Sequence, residues 1–272
     1  MLVTNFRLKF ILYRIMCGIY QVTDVARIHP MRERSLRALD RTVEYIERAM
    51  PHALGFEAQR DLMTYALDEV HVDGHYLEFG VFTGGTIRFM ARRIKPRLFH
   101  GFDSFEGLPE TWSGYSLGRG AFHRGARLPR VPDNVRLYPG WFDATLPEWL
   151  KNNPGPVAFI HIDCDIYSST RTILTLLADR IVSGTIILFD EYFNYPNWEE
   201  HEYKAFKEFL AERKIGMIQQ TGAAVCVTGN VGCAMQIASA AAARGKRLRV
   251  LHPVDLLHRA FFGSGAVRRS RP

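Results

Sequence analysis

The chain predicts an α/β fold: a seven-stranded, mostly parallel sheet with helices on both faces and a helical extension ahead of the first strand. Two observations carry this. From residue 76 onward, short apolar runs of β type recur at 76–81, 98–102, 135–138, 157–162 and 185–189, and helix-like stretches separate most of them, the alternation that builds right-handed βαβ units. Acidic residues stand where several of these runs end, and the carboxyl ends of parallel strands are where such sheets bind ligands.

Taken in order, residues 1–70 read as helical, with arginine and glutamate scattered among apolar positions through 35–50 and Pro51 as the stop. Within it, 10–20 is apolar but short and broken by Arg14, so it is no membrane span; an interfacial or dimer-forming helix with Arg7, Lys9 and Arg14 on its polar side is the alternative. Residues 104–134 hold Gly107, Pro109, Gly114, Gly118, Gly120, Gly125, Pro129 and Pro132, too many breakers for an ordinary βα connection, and read as an active-site loop. After the fifth run, 198–214 is helical, and 216–220 and 223–227 complete the sheet as a pair turning at Gly222. The expected division is a helical cap or dimerisation region over 1–70, a catalytic domain over 71–230, and an Ala-rich, basic tail over 231–272.

The net charge of +7 belongs to that tail, where eight basic residues after position 241 face only Asp255, so the body is neutral and no nucleic-acid-binding face is expected. Cys17, Cys164, Cys226 and Cys233 form no CxxC pair and no zinc spacing. A soluble, cytoplasmic protein without a secretory signal is the expectation.

The chemistry concentrates at four strand ends. Asp163 and Asp165 follow the fourth run, and Asp190 and Glu191 follow the fifth. Neighbouring parallel strands lie about 5 Å apart, so these carboxylates would meet, and a hard divalent cation with oxygen ligands, of the magnesium type, resolves their repulsion. The first βα turn, Glu78 through Gly80, Thr83, Gly84, Gly85 and Thr86, lets a ligand approach the backbone at a helix N-terminus. It lacks the GxGxxG of a dinucleotide fold, and Thr86 and Ile87 replace the Lys and Ser/Thr of a P-loop, which disfavours a dehydrogenase and phosphate cradling. Asp103 is suited to a ribose diol and Glu78 to a ligand ammonium. A ligand with ribose, amine and carboxylate but no phosphate is S-adenosylmethionine (SAM).

Five motifs, EFGVFTGG at 78–85, GFDSFEGLP at 101–109, GWFDATLP at 140–147, IDCDIYSST at 162–170 and FDEY at 189–192, together resemble the macrocin O-methyltransferase family over roughly residues 70–230. The resemblance implies a class I, Rossmann-like, SAM- and Mg²⁺-dependent enzyme that methylates hydroxyls of sugars in natural-product biosynthesis, as a homodimer. It implies Asp163, Asp190 and Glu191 as metal ligands and Asp165 as general base. On the cofactor side it implies Glu78, Gly80, Thr83, Gly84, Gly85 and Thr86, with Asp103, Ser104, Asp143 and Asp163. Where the family pattern often has two consecutive aspartates, this chain has Asp190 and Glu191. The alternative is a non-catalytic nucleotide-sugar or SAM-binding assembly protein of the same fold.

Other residues have plainer readings. His161 is a hydrogen-bonded core histidine. His201 and Glu202 resemble half of a zinc-protease helix, but Ala205 stands where a second histidine is required. His201 either borders the acceptor pocket or is a solvated helix-start residue. Ser168 and Ser169 cap the following helix, and Asp143 either contacts adenine or caps its own. The aromatic residues near strand ends, among them Trp112, Trp141, Phe142, Tyr192 and Trp198, suggest a stacking wall.

Overall fold

A computed structural model describes residues 29–115, 117–125, 127–220, 225–227 and 249–251. The chain divides into two compact units, Met1–Tyr203 and Lys204–Pro272. The apolar segment 10–20 and the Ala-rich segment 238–243 lie outside the described residues.

In the first unit the elements run α1 (Pro30–Ala49), α2 (Gln59–Asp68), β1 (His75–Phe79), α3 (Gly85–Arg93), β2 (Phe99–Asp103), β3 (Val135–Pro139), α4 (Phe142–Asn152), β4 (Val157–Ile162), α5 (Tyr167–Leu176) and β5 (Ile181–Phe189). A 3₁₀ turn at Trp198–Glu200 leads into α6 (Glu202–Gln220). The five strands form one sheet in the order β3-β2-β1-β4-β5, every pair parallel. This is the Rossmann-like α/β arrangement. The chain runs outward from β1 to β3, then returns to place β4 on the other side of β1, so the switch point where ligands bind lies between β1 and β4.

The expected seven strands are not found in this sheet. Residues 216–220 belong to α6. Met217, Gln219 and Gln220 are good helix formers, and an interior glycine such as Gly216 costs a helix only about 1 kcal/mol. In the second unit β6 (Val225–Val227) pairs in parallel with β7 (Arg249–Leu251), instead of turning back at Gly222 onto 216–220.

Alternation along the strands serves both faces. Tyr76, Phe99 and Phe159 pack on one side with Met63, Ala66 and Leu67 of α2 and Ile87, Met90 and Ala91 of α3. On the other side Phe79 stacks on Phe102 and meets Phe142 edge-on, while Trp149 of α4 meets both His100 and Phe102. The α1 helix starts earlier than residue 35: Pro30 takes the first turn, where it lacks only a spare donor, and the His29 ring accepts the Met31 N–H at 3.2 Å. Its buried residues Ala38, Thr42 and Tyr45 fall on one face. Tyr45 packs against Tyr192, Phe193, Trp198 and Tyr203, and the Thr42 hydroxyl accepts the Asn194 N–H at 3.0 Å. The helix is thus a buttress for the segment after β5. Among the described residues no helix is long and apolar enough to cross a membrane.

His100 is 2% exposed, and its Nδ1 accepts the Trp149 indole N–H at 3.1 Å. Burial first, then the neighbouring His75 and Arg136, lower its pKa to about 4. The folded state therefore holds His100 neutral while the unfolded chain protonates near 6.5. Stability should be full above pH 6.5 and fall between pH 6.5 and about 4. The loss is at most about 3 kcal/mol. Denaturant midpoints across that range will show it, and His100→Gln should flatten the slope.

Candidate active site

The carboxyl ends of β1, β4 and β5 are tied together by backbone bonds: the Asp163 N–H donates to Phe79 O and the Asp190 N–H to Ile162 O, each at 2.9 Å. Gly80 follows β1 at φ +95, and a Cβ there would fall 1.6 Å from the Asp163 carbonyl oxygen, so only glycine lets the strands approach this closely. The acids are set side by side by this register. Asp163, Asp165 and Glu191 each offer a carboxylate oxygen within 4.8 Å of the others.

Their electrostatics are those of carboxylates crowded away from water. Burial, then Asp190, Glu78, Glu191 and Asp165 in turn, raise the Asp163 pKa well above the carboxylate range. Burial and then Asp190 bring Asp165 to about 7, and burial, Asp190 and Asp165 bring Glu191 to about 9. The Glu191 Oε2 atom is buried without a hydrogen-bond partner. Three oxygen donors at this spacing, with one left open, suit a hard cation. Asp190 is the foremost charged neighbour of all three acids, although it is not one of the triplet, and its Oδ1 accepts a hydrogen bond from Gln59, the first residue of α2. The expected ligands Asp163, Asp190 and Glu191 thus lie near one another, with Asp165 in the same group as Asp163 and Glu191.

Beside the triplet lies a cavity of about 230 Å³. Of the residues expected around a cofactor, Gly80, Asp103, Ser104 and Asp163 line it, together with Asp165 and Glu191. Phe82, Leu108, Trp112, Phe122, Trp141 and Phe142 supply an aromatic and apolar wall. Six of the lining residues, from Ser104 through Phe122, come from the glycine- and proline-rich loop, which folds over the cavity with only an isolated bridge between Trp112 and Leu117. Phe82 and Phe122 meet edge-on at 5.6 Å, with the Arg124 guanidinium over the Phe82 ring.

Glu78, Thr83, Gly84, Gly85 and Thr86 are not among the lining residues. Glu78 is fully buried, its Oε1 bonded by the Thr86 hydroxyl and by His161 Nδ1, the latter at 3.0 Å. The reason is register: Glu78 and His161 are direct cross-strand partners on β1 and β4. Burial raises the Glu78 pKa, while His161 and Thr86 oppose the shift. His161 is the buried, bonded histidine expected. Asp103 bridges the turn after β1 and its own loop, Oδ2 accepting the Val81 and Phe82 N–H groups at 2.9 and 2.7 Å and Oδ1 that of Phe105 at 2.7 Å. Gly84 is the left-handed N-cap of α3.

Asp143 lies in the first turn of α4, where its charge opposes the helix dipole favourably, and lines an adjoining cleft with Trp141, Ser168 and Ser169. Neither it nor the serines cap a helix: the N-caps are Trp141 and Ile166, without side-chain bonds, and Ser168 donates instead to Glu110 at 2.7 Å. His201 is 6% exposed rather than solvated, with its Nε2 2.8 Å from the Ser113 hydroxyl. It ties the loop to the start of α6. Two residues escaped sequence reasoning: Gln59, which carries no local signal, and Glu202, masked by the failed zinc-protease pattern.

Residues 77–192, the stretch that spans β1 to the acids after β5, match a protein family described as Methyltransferase domain. Across 160 residues the chain is 31% identical to the 8-demethyl-8-(2,3-dimethoxy-alpha-L-rhamnosyl)-tetracenomycin-C 4'-O-methyltransferase of Streptomyces olivaceus, covering 48% of this chain and 59% of that protein. It is 30% identical over 159 residues to demethyldecarbamoylnovobiocin O-methyltransferase of Streptomyces niveus, covering 50% and 60%. Mycinamicin III 3''-O-methyltransferase of Micromonospora griseorubida is 27% identical over 159 residues, covering 49% and 61%. The chain spans about 60% of the length of these relatives.

Mg²⁺ should raise the melting temperature of the chain, because a cation held only by the folded state stabilises by about 2.7 kcal/mol at a hundredfold excess over Kd. For a domain of this size that is on the order of 5 °C. Asp163→Asn relieves the crowding, so in EDTA it should melt no lower than the parent chain, and Mg²⁺ should no longer shift it. Scanning calorimetry of both proteins with EDTA and with Mg²⁺ checks this.

Proposed function

We propose that this chain is a SAM-dependent, divalent-metal-assisted O-methyltransferase acting on a hydroxyl of a sugar or glycosylated natural product, of the macrocin O-methyltransferase type, and working as a homodimer. The observation that carries the reading is the meeting, in one cavity, of Gly80, Asp103 and Ser104 from the ends of β1 and β2 with Asp163, Asp165 and Glu191 from the ends of β4 and β5. The names of the relatives support the acceptor class. The residues fit both groups. The carboxylate triplet and its open Glu191 oxygen suit a cation, and an aromatic wall beside polar strand ends suits an adenosyl group.

When bound, SAM supplies a methyl group on a sulfonium, and a cation such as Mg²⁺ lowers the pKa of the acceptor hydroxyl. The residues of the chain do the rest. Asp163, Asp190 and Glu191 would hold the cation. Asp165 is the group that takes the acceptor proton: it lines the cavity beside Asp163 and Glu191. A carboxylate has about four lone-pair sites, so Asp103, with three given to backbone N–H groups of the two adjoining loops, keeps one for a ligand hydroxyl. The Phe82, Trp112 and Phe142 wall excludes water, which strengthens each charge inside.

Calorimetric titration should show SAM binding, and labelled methyl should pass to a panel of glycosylated acceptors in a reaction that EDTA stops. Asp165→Asn should lower kcat about 10²–10⁴-fold, leaving SAM affinity near that of the parent chain. Absence of SAM binding would end the proposal. Binding without transfer on any acceptor would favour an assembly protein of this fold.

A further inference from the structure

Opposite the acids, the loop over the cavity is basic. Although the body of the chain is neutral overall, its stretch 117–130 holds Arg119, Arg124, Arg127 and Arg130 with His123 and no acid. The exposed cations Arg37, Arg41, Arg93, Lys95 and Arg97 each meet a carboxylate. Among the described residues none of the four loop arginines does.

Arg124 is held in place. Its backbone N–H donates to Phe105 O at 3.1 Å, and its guanidinium lies over the Phe82 ring, 5.4 Å from the centroid. Phe82 meets Phe122 edge-on at 5.6 Å. Both rings line the cavity yet are 41% exposed, so they stand where it opens to solvent. Both also sit at positive φ, +45 and +67, a conformation that strains a bulky residue and recurs at ligand clamps. The Arg124 Nε is buried without a partner, and among the described residues nothing accepts from the rest of its fork. An unpaired donor set of this kind weakens the fold unless a ligand uses it.

A guanidinium flat against a ring grips a phosphate through two parallel N–H groups. The carboxylates Asp163, Asp165 and Glu191 repel the same anion, so an acceptor carrying it enters with the phosphate at the opening and its hydroxyls toward the acids. Four arginines match more charge than a sugar acid carries, and two exposed rings offer a face to a planar base. We infer that the methyl acceptor is a sugar still linked to a nucleoside diphosphate, with Arg124 gripping the diphosphate beside Phe82 and Phe122. This substrate class rests on the proposed function. A sugar so activated is consumed by glycosyl transfer, so methylation comes before the sugar is attached.

Calorimetric titration of the full-length chain with UDP and with TDP, in EDTA so that no cation draws phosphate to the carboxylates, reads the site directly. At least one nucleotide should bind, less tightly as salt rises. Arg124→Gln should weaken it at least about tenfold, with SAM affinity and melting temperature as in the parent chain. Arg124→Lys, which keeps the charge and loses the fork, should fall between them and decides the matter if the glutamine variant melts early. In labelled methyl transfer with Mg²⁺, nucleoside-diphosphate sugars should show kcat/KM at least about tenfold above neutral glycosides of the same sugars, and Arg124→Gln should raise KM for the former alone. Failure of both nucleotides to bind overturns the inference, as does parental nucleotide affinity in both Arg124 variants. A loss of SAM affinity in Arg124→Gln assigns the arginine to the cofactor and overturns it too. Methyl transfer to neutral glycosides as fast as to nucleotide-linked sugars ends the inference and leaves the proposed function standing. Nucleotide binding through Arg124 in a chain that binds no SAM ends the proposed function and leaves the phosphate site.

Discussion

Parallel pairing of β1, β4 and β5 forces carboxylates together, and the rest of the site is arranged around that constraint. The backbone bonds from Asp163 to Phe79 and from Asp190 to Ile162 leave no freedom for the strand ends to separate. Gly80 is required because those ends close to a distance no side chain tolerates. Asp163, Asp165 and Glu191 then hold their protons far above the usual range, a state that favours any partner able to replace protons with a cation. Perturbed acids gathered beside a cavity are the physical mark of a working site.

Around this centre the fold builds a second, smaller core. Ala38 and Tyr45 of α1, Leu108 and Trp112 of the loop, Ile166 at the start of α5, and Tyr195 and Trp198 after β5 pack into one cluster. Its members come from the elements that frame the acids, so the N-terminal helix, the loop and the start of α6 support the site as one packed body. The bond from His201 to Ser113 and that from Gln59 to Asp190 extend the same arrangement with polar contacts. A loop this rich in glycine and proline has little order of its own, and aromatic packing against Tyr195 gives Trp112 and Tyr115 a fixed place.

Legibility in the sequence followed the range of the forces involved. The runs that became β1, β2 and β4 were readable because burial on both faces demands continuous apolar stretches, a local property, and β3 and β5, which are partly exposed, by their apolar β-type residues. The acids after β4 and β5 were readable as a cluster because parallel neighbours bring their ends together. The pair 216–220 and 223–227 was misread because short apolar runs fit helix and strand equally, and α6 absorbed the first of them. The roles of Glu78 and Asp103 hinge on where each carboxylate turns: Glu78 is closed by His161 across the sheet, and Asp103 by three backbone N–H groups of adjoining loops.

The sequence by itself determined the α/β class, the order of the strands along the chain, the loop over the cavity and the identity of the acids. These depend on residue type and on spacing within one segment. Only the tertiary structure decided which oxygens meet. The grouping of Asp165 with Asp163 and Glu191 and the contact between Gln59 and Asp190 join residues far apart in the chain or turn on a single backbone dihedral. Strand register and side-chain packing set those, and neither is written in any local pattern.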